Sequence, residues 1–115
     1  MLLHYVDETA ESTPEEVRED QARLASWLDD TVGRGVNLHG SILGPSRDAA
    51  TVRTSDGELL VTDGPFAETK EQVGGYDVIE CADLQEAIQI VGSHPTIRHG
   101  TIEIRPFPPP RIQSM

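Results

Sequence analysis

Lys70 is the only lysine in the chain, and it stands between Glu68 and Glu71 in a protein whose formal net charge is −11. A compact cation in such a setting suits the holding of an anionic group better than the abstraction of a proton. Asp63 lies directly before Gly64-Pro65 and can accept backbone N–H bonds that fix a turn; it could equally shape the wall of a ligand site. His39 falls in an alternating run, on the side opposite Leu38 and Gly40. If that side faces Glu103 and Arg105 of the last strand, the three supply the parts for acid–base chemistry near neutral pH. His39, Asp63 and Arg105 are therefore the candidate catalytic residues. Asp63, Lys70 and Arg105 are the candidate contacts for a small anionic ligand. Each also has a plainer reading, as a tight turn, a dimer contact or an interface hydrogen bond.

Other chemistries find less support. His4, His94 and His99 are scattered without the spacing of metal ligands, so no metal is expected. Cys81 is the single cysteine, which rules out an intrachain disulfide and a cysteine zinc cluster; at the end of an apolar strand it reads as a buried, inert thiol. No Gly-x-Ser-x-Gly occurs, and no glycine-rich phosphate loop precedes a helix, so no cofactor is expected. The negative charge argues against nucleic acid and against anionic membranes as partners. No window reaches the roughly 18 apolar residues of a membrane span, and the N-terminus lacks a basic region followed by an apolar run. A cytoplasmic protein is the expectation.

The elements that position these residues can be read from pattern. Aromatic residues make up only 4 % of the chain, so the core must come from Leu, Ile, Val and Ala. Leu2 to Val6 is short, apolar and β-prone. Thr13-Pro14-Glu15-Glu16 is a capping box with proline at the first helical position. The helix it opens carries Val17, Leu24 and Leu28 on one face, and Gly33 and Gly35 stop it. Val36 to Leu43 alternates as a strand. Thr51 to Thr54 and Glu58 to Thr62 flank an Asp56-Gly57 turn, a strong hairpin signal. Asp63 to Gly74 reads as a loop with at most one helical turn, and Gly75 to Glu80 as a strand. Asp83 and Glu86 cap a second helix with a Leu84, Ala87, Ile88, Val91 stripe. Thr101 to Phe107 is the last strand, and residues 108–115 form an extended tail after a domain spanning 1–107.

The order is β-α-β, a hairpin, then β-α-β. Two such units with right-handed crossovers give an α+β, ferredoxin-like fold: an antiparallel sheet with both helices on one face. The other face then carries Glu103, Arg105 and Phe107, and a second copy of the chain is the cheapest cover for it. A homodimer is the expected partner.

Asp63-Gly64-Pro65-Phe66-Ala67-Glu68-Thr69-Lys70-Glu71, followed by Gly74-Gly75-Tyr76, resembles the signature of the DGPFAETKE family of YCII-related proteins. The flanks are similar too, in Tyr5, Thr51-Val52-Arg53, Glu86-Ala87 and Glu103-Ile104-Arg105-Pro106, so the resemblance spans about Leu2 to Pro106. It implies a dimeric α+β barrel with a cleft beside the facing sheets. In some relatives a His of the first helix and an Asp before a Pro after the second helix serve that cleft, and a few relatives act on substituted aromatic rings. This chain has no His from Pro14 to Val32, and His94 stands before Pro95. The resemblance also suggests a link to alternative sigma factors. Three functions follow as expectations: a homodimeric small-molecule-binding or regulatory protein, a small enzyme working by acid–base chemistry on an aromatic or similar substrate, and a transcription-associated interaction module.

Overall fold

The computed structural model describes residues 1–108. The tail expected over 108–115 therefore lies, from residue 109 onward, outside the described residues.

The first strand, β1 (Leu2–Asp7), leads into α1 (Pro14–Gly33), which returns through β2 (Asn37–Ile42). A hairpin of β3 (Ala50–Ser55) and β4 (Glu58–Asp63) follows. Then come β5 (Glu71–Ile79), α2 (Leu84–Gly92), a 3-10 turn over Pro95–Arg98, and β6 (Thr101–Ile104). Four strands form one antiparallel sheet in the order β2-β5-β1-β6, while the hairpin is a separate two-stranded sheet. That interleaving of two β-α-β units is the ferredoxin-like order, and the chain is an α+β protein.

The caps form as the sequence dictates. Thr13 Oγ1 accepts from the Glu16 N–H at 3.1 Å, and Glu16 Oε1 accepts in return from the Thr13 N–H. Asp83 Oδ1 accepts from the Glu86 N–H at 2.9 Å. In the hairpin turn Asp56 and Gly57 both have positive φ, 50° and 81°, which is what a type I′ turn demands.

Leu2, Trp27, Val36, Ile90 and Val91 make the buried core. Trp27 ties the two helices to one face of the sheet: its Nε1–H donates to the Ile90 carbonyl at 2.8 Å. The apolar stripe expected to anchor α1 behaves differently. Trp27 and Thr31 are the residues of α1 that are buried, whereas Val17 and Leu28 remain exposed. The helix rests on its Trp27 edge, and its aliphatic stripe overhangs the sheet.

Two boundaries and one register depart from the sequence pattern. The strand expected at Gly75 begins at Glu71, and no helical turn forms between residues 63 and 71. Tyr5, Val6 and Asp7 pair with Val73, Gln72 and Glu71, so a long-range ladder captures a segment whose polar composition suggests loop. The alternation of β2 is broken by a register shift between Asn37 and His39. Leu38 is the extra residue of that bulge. The last strand ends at Ile104 rather than Phe107, because Pro106 has no N–H to give a ladder.

Candidate functional site

The overhang of α1 leaves a cleft of about 870 Å³ between that helix and the sheet. Its walls are Val17, Leu24, Leu28 and Val32 from α1, with Leu38 and Ile42 from β2. Its floor is polar, and strand parity explains why. His4 shares the helix-facing side of β1 with Leu2, and Asp77 shares that side of β5 with Gly75; all four are buried. Two ionisable side chains on the core face of a sheet need partners.

They find each other. His4 Nε2 and Asp77 Oδ2 are 2.7 Å apart, with the two residues 5 % and 7 % exposed. Asn37 Nδ2 donates to the other carboxylate oxygen, Oδ1, at 3.0 Å. The bulge at Leu38 makes that contact possible, since unbroken alternation would turn Asn37 away from the face used by Gly40. Glycine at 40 provides the space: a Cβ there would stand 2.0 Å from Asp77 Oδ1. With Nε2–H given to the carboxylate, the lone pair of a neutral His4 sits on Nδ1. That atom is buried and has no hydrogen-bond partner among the described residues.

His94 closes the cluster from the end of α2. Its ring stacks on His4 with centroids 4.3 Å apart, and Trp27 meets it edge-on at 4.6 Å. The Thr96 N–H donates to its Nδ1 at 3.0 Å, capping the 3-10 turn. Burial, helped by the neighbouring His4 and opposed by Asp77, pushes its pKa down to about 4. His94 is thus a neutral imidazole with the proton on Nε2.

Donor atoms of His4, Asp77 and His94 lie within 4.8 Å of one another, a cluster that the intervals along the chain do not announce. As a metal site it fits poorly. A cation needs open lone pairs, and here His4 Nε2 is engaged by Asp77 while the Nδ1 lone pair of His94 is taken by a backbone N–H. The cluster is built as a hydrogen-bonded His4–Asp77 pair with the His94 ring stacked on it.

The residues singled out from the sequence are dispersed. His39 stands on the rim, with its Nδ1 2.8 Å from the Tyr76 hydroxyl. Arg105 and Glu103 lie at β6, the opposite edge of the sheet, and pair with each other. Three strand spacings separate His39 from them, roughly 14 Å. Asp63 ends β4 in the hairpin. Lys70 precedes β5 near Asp7, whose carboxyl is held below its usual range by bonds from Thr9 first and by the Lys70 charge last. Neither Asp63, Lys70 nor Arg105 lines the cleft. The signature loop is stitched to its own surroundings: Gly64 N–H donates to Ala49 O, and Gln72 Nε2 donates to Ala67 O and Thr69 O.

The sequence reading missed His4, Asp77, His94, Asn37 and Gly40. One signal was present: His4 and Asp77 are polar residues at the inward parity of apolar strands.

An α+β chain with interleaved β-α-β units and a buried His–Asp pair beneath its first helix is the class that this geometry defines. The chain belongs to the YCII-related domain family, whose model matches residues 1–109. An uncharacterized protein of Rhizobium meliloti (strain 1021) is 48 % identical to it over 65 residues, which cover 55 % of this chain and 52 % of that protein. The match thus spans about half the length of this curated relative. No helix among the described residues is long and apolar enough to cross a membrane.

Proposed function

We propose that the chain is a small-molecule-binding protein whose ligand enters the cleft under α1, with Asp77–His4 as an acid–base pair at its floor. One observation carries this reading: a buried, hydrogen-bonded carboxylate–imidazole pair underlies an apolar cleft of about 870 Å³. Ligand sites are concave, mostly apolar and supplied with a few convergent polar groups, commonly within about 300–1,000 Å³. The unpartnered Nδ1 of His4 supports it as well. A buried polar atom without a partner costs about 1–3 kcal/mol, and such atoms persist where a ligand atom or a proton has a use for them.

The test is an amide NMR titration with indane and its oxygenated derivatives. The expected result is saturable shifts at Leu24, Leu28 and Val32, weakened by Asp77→Asn. Shifts confined to Glu103 and Arg105, or no saturable shift with any probe, would overturn the reading.

A second reading is carried by the hairpin. Val52, Leu59 and Val61 share one face of it and are 58 %, 77 % and 62 % exposed. The hairpin has no pairing to the main sheet, and the radius of gyration is 16.5 Å. A compact chain of this length has about 13 Å. These features favour a homodimer, of the dimeric α+β barrel kind, in which a second copy covers the hairpin and the open sheet face.

A further inference from the structure

We propose that the cleft takes an uncharged, mainly apolar molecule bearing a carbonyl-type oxygen, and that this oxygen accepts a hydrogen bond from the Nε2–H of His94. The inference rests on the cleft reading above and names the ligand class.

The donor is fixed by geometry. Thr96 N–H occupies Nδ1 of His94, so the neutral ring must carry its proton on Nε2. The ring cannot turn away, because it is held between the His4 face and the Trp27 edge and is 6 % exposed. Its Nε2 nevertheless has no partner among the described residues, and His94 lines the cleft. A donor so placed wants an oxygen. Burial keeps the ring neutral, so it offers one hydrogen bond and no charge.

Charge selects the rest. Among the described residues lining the cleft there is no lysine and no arginine, while Asp7, Asp20 and Asp77 are present. An anion entering there would lose water and gain no counter-charge. The three carboxylates are no invitation to a cation either, since each is already engaged. Asp7 accepts from Thr9, Asp20 faces His99 at 3.1 Å, and Asp77 holds His4 and Asn37. The α1 wall of Val17, Leu24, Leu28 and Val32 then favours a hydrocarbon body. A ketone, lactone or quinone has the required features.

Four probes of one shape separate these demands: indane, 1-indanone, protonated 1-aminoindane and indane-1-carboxylate, with dissociation constants from the amide titration. The expected order places 1-indanone about tenfold tighter than indane, amine and carboxylate alike, which corresponds to one hydrogen bond of about 1.4 kcal/mol. His94→Phe keeps a flat ring between His4 and Trp27 and removes the donor; 1-indanone should then bind no better than indane. Long-range 1H–15N correlation on the unaltered protein needs no variant. It should show the proton of His94 on Nε2 and move that nitrogen on adding 1-indanone. Equal or tighter binding of the carboxylate or amine, a ketone preference that survives His94→Phe, or a proton on Nδ1 would each overturn the inference while leaving the cleft reading intact. Absence of any binding under α1 would overturn both.

Discussion

Gly40 and Asp77 face each other across β2 and β5, and the carboxylate fills the space that a side chain at 40 would need. A Cβ on Gly40 would stand 2.0 Å from Asp77 Oδ1 and 3.0 Å from the Tyr76 carbonyl oxygen. The carboxylate cannot simply swing aside, because Asn37 and His4 hold one oxygen each. Gly40→Ala is therefore expected to lower stability by about 1–3 kcal/mol, through overpacking and displacement of the hydrogen-bonded Asp77 carboxylate. Urea unfolding measures it. In the Gly40→Ala/Asp77→Ala double variant the clash with the carboxylate is gone and only the Tyr76 carbonyl contact remains, so the two losses should be less than additive; strict additivity would show that the residues do not compete for one space.

Acid should destabilise the protein through His94 before it reaches the surface carboxylates. Burial first, and the adjacent His4 second, lower its pKa from the ordinary 6.5 to about 4, with Asp77 pulling the other way. Between those values the unfolded chain binds a proton that the folded chain refuses. Stability is then complete above about pH 6.5 and declines as the pH falls toward 4, by up to about 3 kcal/mol. Asp7 and Glu8 are also lowered, by bonds from Thr9 and Ser46, but they lose their contribution only below their ordinary 3.8 and 4.5. Urea midpoints at pH 7.5 and 5 should differ for the natural chain and converge for His94→Phe. An equal drop in both would assign the acid sensitivity elsewhere.

Gly64 has φ of +94°, where a β-branched residue is strained, and its N–H and C=O are held by Ala49 and Thr51. Gly64→Val is expected to cost about 1–3 kcal/mol in thermal unfolding. An unchanged melting temperature would mean that the turn at Gly64 does not require its positive φ.

Sedimentation at micromolar concentration should show a species twice the 12.6 kDa of one chain. Leu59→Asp with Val61→Asp places two charges on the exposed hairpin face and should shift the equilibrium to monomer. A single 12.6 kDa species for the natural chain would remove the dimer; a dimer untouched by the two substitutions would move its interface off the hairpin.

Local chemistry made much of the fold legible. Thr13 and Glu16, Asp83 and Glu86, and the Asp56-Gly57 turn each act within a few residues, so the sequence alone placed both helices and the hairpin, and the residues from Asp63 to Glu71 pointed to the family. The site was a different matter. His4, Asp77 and His94 sit 73 and 17 positions apart, and only the pairing of β1 with β5 and the return of the chain after α2 bring them together. Alternation put His39 on the open face but could not say that β2 and β6 occupy opposite edges, so its partnership with Arg105 does not form within one chain. The bulge at Leu38 is likewise invisible to a period-two pattern, yet it decides that Asn37 reaches Asp77. Caps and turns are set by neighbours along the chain, whereas this cleft is set by strand order and register, which depend on contacts between segments far apart in sequence.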